Sequence, residues 1–185
     1  MTAEPFLPLL ARWQNFYVIV GSAAGGLTGL QFVVMTLIAD ARAGGNIHTV
    51  RAFGSPTVVH FCMALIMAAV ATAPWNAMPG AAVTWGLCGV AGVVYSLFAI
   101  SHAHRQSDYK PDLGDWIWYG LAPVGTYAIL ALSGLLLLRN AAIGLFVVAG
   151  ASLALLFIGI HNAWDTVTYV AVQRSKKKKG EVPEE

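Results

Sequence analysis

Five long blocks of apolar residues, separated by short polar stretches, occupy nearly all of the chain. A helix that crosses the hydrocarbon core of a bilayer needs about 20 consecutive apolar residues, which is close to the length of each block. The pattern therefore predicts an all-α protein, a polytopic transmembrane helix bundle that forms a single domain over residues 1–172. We predict five spans, at residues 16–39, 56–74, 80–101, 116–138 and 141–170.

The composition agrees with this pattern and argues against a soluble domain. Hydrophobic residues make up 57% of the chain and charged residues only 11%, whereas soluble domains carry about 25% charged residues. The mean hydropathy of +0.66 is too high for a chain that must cover its own core with a polar surface. The five blocks leave no room for a separate soluble domain.

Basic residues are unevenly distributed between the two sides of the predicted topology. Nine of the eleven Lys and Arg residues fall in the first loop, the third loop and the C-terminal tail, and only Arg12 and Arg139 fall on the other side. Cytoplasmic segments of membrane proteins carry an excess of Lys and Arg. The N-terminus is therefore predicted to lie outside and the C-terminus in the cytoplasm, in a multi-pass protein of the cell inner (plasma) membrane.

Residues 173–185 form a tail that is first basic and then acidic, and we predict that it is disordered beyond its lysines. A basic segment beside a membrane attracts anionic lipid with about 1 kcal/mol per basic residue. Lipid is sufficient to explain this charge, so no nucleic-acid partner is expected. The residues predicted to contact lipid are Arg174, Lys176, Lys177, Lys178 and Lys179.

The first predicted span carries a stripe of small residues, Gly21, Gly25 and Gly29, one helical turn apart. Small residues at this spacing let another helix approach closely, and close packing is a main source of helix association in lipid. We therefore predict that these glycines are helix-packing residues and that the protein forms a homo-oligomer. The third span is similarly rich in small residues, including Gly86 and Gly89.

The predicted topology collects the ionisable residues at the cytoplasmic mouth of the bundle. All five histidines and eight of the nine acidic residues lie on that side or within about one turn of it. His161 and Asp165 are four residues apart and share a helix face, and ionisable residues at membrane depth often mark a functional site. The candidate polar cluster consists of Asp40, His60, His161, Asn162 and Asp165.

A structural role is the alternative for the same residues. His161 and Asp165 can form an interfacial contact that ends the last span, with Trp164 as an aromatic anchor. His60, about one turn into the second span, can be a packed histidine whose hydrogen bonds are satisfied. The residues themselves leave both interpretations open.

Several of these side chains also belong to types that bind metals. Imidazole and carboxylate groups ligate zinc and iron, and two histidines on different helices can ligate a haem. The chain contains no established metal or haem motif, so no cofactor is assigned. The candidate metal ligands are His60, His102, His161 and Asp165.

The most distinctive stretches of the chain are WQNFYVIVGSAAGGLTGLQFVV, RAFGSPTVVHF and GIHNAWDTVTYV. Together they resemble a family of small, uncharacterised polytopic membrane proteins of bacteria, and the resemblance covers most of the chain. It implies a location in a bacterial inner membrane, and it implies no activity.

These features predict an integral membrane protein and leave its function open between three classes. The first class is a small oligomeric channel or transporter with a polar cytoplasmic mouth rich in His and Asp. The second is a metal- or haem-binding membrane protein with redox or hydrolytic chemistry. The third is a packing or assembly subunit of a larger membrane complex. The sequence does not identify an enzyme, and the non-enzymatic classes fit the residues better.

Overall fold

A computed structural model of the protein describes residues 6–41, 47–105, 114 and 116–180. Within these residues the chain forms six α-helices and one π-helical segment, with no β-strand, and the predicted all-α class is confirmed. The helices are α1 (Phe6–Ala11), α2 (Gln14–Ala41), α3 (Ile47–Thr72), α4 (Met78–Arg105), α5 (Ala122–Arg139) and α6 (Ala141–Gly180), and the π-helical segment is Trp116–Leu121.

Four stretches in the described part of the chain are long and apolar enough to cross a membrane. The bundle also exposes many large apolar side chains, among them Phe98, Leu121 and Phe157, which a soluble protein would bury. The fold is therefore that of a membrane-embedded protein. The four stretches are Gln14–Thr36, Met78–Ser101, Trp116–Arg139 and Ala141–Thr168.

The apolar part of α3 is shorter than these four and lies at the centre of the bundle. It runs from Pro56 to Thr72, in a helix that begins at Ile47, so Pro56 lies inside the helix instead of at its start. α3 packs against α2, α4 and α6, and Phe61 and Met67 are almost completely buried.

Gly134 of α5 lies against Ala82 of α4, and Tyr127 of α5 lies against Gly92 of α4, so these two helices run antiparallel. The other long helices that follow one another in the chain are also joined by short connections and return in the opposite direction, which gives the bundle two distinct ends. Gly21 of α2 lies against Ala68 of α3, and a Cβ atom on Gly21 would be 3.1 Å from that of Ala68. α5 and α6 are joined at Asn140, whose side-chain oxygen accepts a hydrogen bond from the Ile143 amide at 3.1 Å. We call the end with the α3–α4 and α5–α6 connections the hairpin end, and the opposite end the tail end.

Glycines bring α4 and α5 into the closest contact in the bundle. A Cβ atom on Gly89 would overlap the backbone of Ala131, and one on Gly134 would lie 2.7 Å from the Ala82 carbonyl oxygen. The ring of Tyr127 covers Gly92. Small residues allow the two backbones to pack directly, as is common between helices in lipid.

The hairpin half of the bundle has a dense, largely apolar core. Trp85 is fully buried, and its indole N–H donates to the Met67 carbonyl oxygen at 3.4 Å. Outside this core, Trp13 follows α1 and packs edge-on against Phe146, with ring centroids 4.7 Å apart. Other almost fully buried side chains here are Tyr17, Leu137, Leu145 and Val148.

The longest helix, α6, continues to Gly180. It therefore extends beyond residue 170, where the last span was predicted to end, and through the lysine-rich stretch. Its apolar stretch ends at Thr168.

Candidate functional site

His60 is the most deeply buried histidine in the described part of the chain. Its side chain is 2% exposed, and its Nδ1 lies 2.9 Å from the hydroxyl of Tyr127 on α5. The phenol can donate to Nδ1 when that nitrogen carries no proton. His60 is therefore hydrogen-bonded across the bundle to a tyrosine, and the sequence had not singled out this tyrosine.

The π-helical segment packs against α6 at the tail end. The Trp118 indole stacks on the His161 imidazole, with ring centroids 3.9 Å apart and an interplanar angle of 10°. The Tyr119 hydroxyl lies 3.3 Å from both the Asn162 carbonyl oxygen and Asp165 Oδ2, and it can donate to either. Aromatic side chains of one segment thus hold three of the predicted site residues in place.

Pro123 gives a reason for this local geometry. Proline lacks an N–H group, so a carbonyl in the preceding turn loses its helical donor. Asn162 supplies a substitute, because its Nδ2 donates to the Trp118 carbonyl oxygen at 3.4 Å. π-helical segments also occur frequently at functional sites.

In the described part of the protein, six buried side-chain polar atoms have no hydrogen-bond partner. Two of them are the Tyr17 hydroxyl, in a residue that is 1% exposed at the hairpin end, and Nδ1 of the partly buried His161. The other four belong to strongly buried side chains in the tail half of the bundle. They come from four different helices, and each is at most 3% exposed. A buried polar atom left unpaired costs about 1–3 kcal/mol, and proteins contain few of them. These four atoms are Gln31 Nε2, Thr57 Oγ1, Ser96 Oγ and Asn162 Oδ1.

The register between α2 and α3 places two of these side chains at one depth. Gly21 faces Ala68 across the interface. Because the helices are antiparallel, the residue ten positions after Gly21 lies level with the residue ten positions before Ala68. These positions are Gln31 and residue 58, so Gln31 and Thr57 differ in depth by about 1.5 Å, the rise of one helical residue.

The contact between α3 and α6 shows that the side chain of Asn162 lies at the same depth. Phe61 of α3 faces Gly159 of α6. The two helices are antiparallel, so four residues before Phe61 on α3 is level with four residues after Gly159 on α6. These positions are Thr57 and residue 163. Asn162 is next to residue 163, so its side chain lies within about one residue rise of Thr57.

Ser96 is at the same depth on α4. The Trp85 side chain of α4 reaches the backbone of Met67 on α3. Ser96 is eleven positions after Trp85, so on antiparallel helices it lies level with about residue 56 of α3, eleven positions before Met67. We call the set of Gln31, Thr57, Ser96 and Asn162 the polar layer. The layer lies at the tail end, within about one helical turn in depth, and His60 and His161 border it.

The remaining predicted site residues lie in helices but are only partly described. Asp40 is in α2 and His102 in α4, and the side chains of both lie outside the described set, as do those of Arg174 and Lys176–Lys179 in α6. Among the described side chains, no three His, Cys, Asp or Glu residues are close enough to hold a metal ion. The four-residue metal set and the lipid-binding tail stay predictions.

The three glycines of α2 have different surroundings. Gly21 packs on α3, whereas a Cβ atom on Gly25 or Gly29 would meet no other heavy atom within 4 Å. Both face outward from the chain. The proposed packing face is therefore open toward the membrane at these two positions.

The sequence missed Tyr119, Tyr127 and the unpaired hydroxyls of Thr57 and Ser96. Hydroxyl groups inside apolar helices commonly bond to their own backbone, as Ser133 does to the Leu130 carbonyl oxygen at 2.6 Å. Only the tertiary contacts distinguish a satisfied hydroxyl from an unpaired one.

Comparisons of the chain with protein families, with curated proteins and with solved structures find no match. The resemblance to a bacterial family therefore stays a prediction. The function of the site can be inferred only from the side chains that form it.

Proposed function

We propose that the chain is a five-span transport protein of the inner membrane and that it binds a small, uncharged polar solute in the polar layer. The observation that carries this proposal is the set of four unpaired polar atoms at one depth. In a membrane interior such atoms are costly unless a ligand uses them. A solute that fits between the four helices can supply the missing hydrogen bonds.

The central position of α3 supports a fifth span. The apolar stretch from Pro56 to Thr72 rises about 26 Å at 1.5 Å per residue, which approaches the hydrocarbon thickness of about 30 Å. α3 also packs between helices that are long enough to span. If α2 and α4 cross the membrane in the same direction, α3 must return the chain between them.

Charge and aromatic residues support the orientation. The tail end has the excess of Lys and Arg, which favours the cytoplasmic side. Aromatic residues flank both ends of the bundle, with Trp13 and Trp75 at the hairpin end and Trp116 and Trp118 at the tail end, as in interfacial aromatic belts. We therefore propose that the polar layer is reached from the cytoplasm.

The chemistry of the layer favours an uncharged solute. Gln31 offers amide N–H donors, Asn162 offers a carbonyl acceptor, and the hydroxyls of Thr57 and Ser96 can do either. None of these groups carries a formal charge. A solute with both donors and acceptors, such as an amide or a polyol, matches this set better than a bare ion, which a membrane site usually pairs with charges or several carbonyls.

The closed hairpin half favours a carrier over a pore through a single chain. Trp85, Met67 and Leu137, which lie on the hairpin side of the layer, are fully buried. Passage of a solute then requires these side chains to move apart, as in alternating access. A pore between chains of an oligomer would instead use the outward face of α2.

Liposome swelling tests the proposal directly. The purified chain is reconstituted, and the entry of urea, acetamide and glycerol is followed by stopped-flow light scattering. We expect at least one of these solutes to enter faster than into protein-free liposomes. Thr57→Val should lower this entry about five- to tenfold, as expected for one lost hydrogen bond of about 1–1.4 kcal/mol.

The stability of the same variant separates binding from structure. Because the Thr57 hydroxyl has no partner in the described part of the protein, Thr57→Val should leave the melting temperature in detergent unchanged or raise it. Ser133→Ala is the matched control, since it removes a buried hydroxyl that is already bonded and should leave solute entry unchanged. Unaltered swelling together with a lower melting temperature for Thr57→Val would contradict the proposal.

A further inference from the structure

A groove of about 540 Å³ runs along the outer surface of the α5–α6 hairpin, away from the polar layer. Its walls are almost entirely apolar, and pockets of this volume are large enough for a small ligand. The side chains that shape it are Leu132, Leu135, Leu136 and Leu138 on α5 and Val147 on α6, with Arg139 at one end.

The length of the groove matches one leaflet of a bilayer. It extends along α5 from Ile129 to Arg139, which is ten residues and about 15 Å at 1.5 Å per residue. The hydrocarbon core of a bilayer is about 30 Å thick, so a leaflet contributes about half of that. The groove begins where α5 ends and covers somewhat less than half of the apolar stretch Trp116–Arg139.

Among the described residues that line the groove, Arg139 alone is charged, and it stands at the end of a stretch long enough to span a membrane. It is the last residue of the helix and its side chain is exposed. Asp165, the acidic residue whose side chain is described, is at the opposite end of the bundle beside Tyr119. In the described part of the protein, no carboxylate therefore pairs with the Arg139 guanidinium.

The interior of the groove contains no hydroxyl group that needs a ligand as its hydrogen-bond partner. The Ser133 hydroxyl, which lies on the groove wall, already donates to the Leu130 carbonyl oxygen. Leu132 and Leu135 are 64% and 65% exposed and offer their side chains to the membrane. The arrangement is thus a long apolar surface one leaflet deep with a single cation at its outer end.

We propose that this groove binds one phospholipid of the hairpin-end leaflet. An acyl chain lies along the leucines of α5, and the anionic headgroup contacts the Arg139 guanidinium. The apolar contacts orient the chain, and the charge selects lipids with a net negative headgroup. An arginine guanidinium is well suited to this role because its donors match the geometry of a phosphate.

Native mass spectrometry tests the lipid site. The full chain is delipidated in detergent and titrated with phosphatidylglycerol or with phosphatidylcholine. We expect the wild type to retain one phosphatidylglycerol more tightly than phosphatidylcholine. Arg139→Gln should weaken phosphatidylglycerol binding about fivefold, the change that corresponds to about 1 kcal/mol for one basic residue, and should leave phosphatidylcholine binding nearly unchanged.

A second variant tests the acyl-chain part of the site. Leu135→Trp fills the groove at an exposed position and should weaken the binding of both lipids. Leu87→Trp is its matched control, since Leu87 is 63% exposed on α4, at a similar depth but away from the groove. Arg12→Gln is the control for charge, because it removes one cation from the same end. The lysine tail also attracts anionic lipid, so the differences between variants are compared instead of total binding.

Four outcomes would overturn the proposal. The headgroup contact would be excluded if the Arg139→Gln variant bound phosphatidylglycerol as tightly as the wild type. It would also be excluded if Arg12→Gln weakened phosphatidylglycerol binding as much as Arg139→Gln does. Leu135→Trp with unchanged lipid binding would show that no chain occupies the groove. Dissociation of an oligomer by Leu135→Trp would show that a second copy of the chain covers it.

Discussion

At the scale of single residues, the hydrogen bond between His60 and Tyr127 satisfies a histidine that is buried inside the bundle. The two side chains come from α3 and α5, and their heavy atoms are 2.9 Å apart. A buried imidazole needs such a partner, and the ring of Tyr127 is held in place by its contact with Gly92. The pair links two helices that are not neighbours in the sequence.

We predict that Tyr127→Phe destabilises the protein by about 1–2 kcal/mol, because it leaves Nδ1 of His60 without the tyrosine hydroxyl. The measurement is the melting temperature or the free energy of unfolding in detergent. Ser101→Ala is a control, since it removes an exposed hydroxyl that bonds only to its own helix. In a double-mutant cycle, Tyr127→Phe should cost much less when His60 has already been replaced by Leu; equal costs in the two backgrounds would mean that the bond contributes nothing.

At the scale of helices, the crossing of α4 and α5 depends on the absence of side chains. Gly89 sits against the backbone of Ala131, whereas a Cβ atom on Gly86 would lie 3.7 Å from the nearest atom, the Ala131 carbonyl oxygen. The two glycines are three residues apart on the same face. They therefore provide a matched pair in which only the available space differs.

We predict that Gly89→Ala destabilises the protein by more than about 2 kcal/mol, because α4 and α5 must separate to admit the methyl group. Gly86→Ala should be tolerated, since its new methyl group makes an ordinary van der Waals contact. Thermal unfolding of both variants in the same detergent compares them. Similar melting temperatures for the two would show that the crossing is looser than described.

At the scale of the whole molecule, the open face of α2 bears on how chains associate. α2 packs mainly on α3, and Gly25 and Gly29 face away from the rest of the chain. Small residues at this spacing favour close helix pairs in lipid. We propose that two chains associate through this face, so that the α2 helices of the partners pack against each other.

We predict that Gly25→Leu, alone or with Gly29→Leu, converts the oligomer to a monomer, because the leucine prevents the close approach of the two helices. Light scattering in detergent measures the mass of the protein against the 19.6 kDa of one chain. Gly150→Leu on α6 is the control, since it also adds a side chain where no other atom lies within 4 Å. A wild-type protein that is already monomeric in a mild detergent would contradict the proposal.

Much of the architecture was predictable because helices in lipid obey simple length and composition rules. The blocks around Gly89 and Leu135 are apolar for long enough to span, and the structure contains long apolar helices there. Pro56 was less informative: the second span was predicted to begin there and the apolar part of α3 does, yet the helix itself begins at Ile47. A proline tolerated inside a helix cannot be distinguished by sequence alone from one that opens it.

The site was predictable only in part. His161, Asn162 and Asp165 could be found because polar residues interrupt an apolar helix, and the structure places all three beside the π-helical segment. Tyr119 could not be found, since a tyrosine near a membrane interface is common. Its role depends on Pro123 and on the approach of α6.

The sequence by itself determined that this protein is helical and membrane-embedded, because apolar blocks of that length have few other stable structures. Tertiary structure alone decided which polar side chains are satisfied. Thr57 and Ser133 are both hydroxyl residues in apolar helices, yet one is unpaired at the level of Gln31 and the other bonds to its own backbone. The physical reason is register: the depth at which a side chain meets its neighbours depends on contacts such as Gly21 with Ala68, which join residues far apart in the chain.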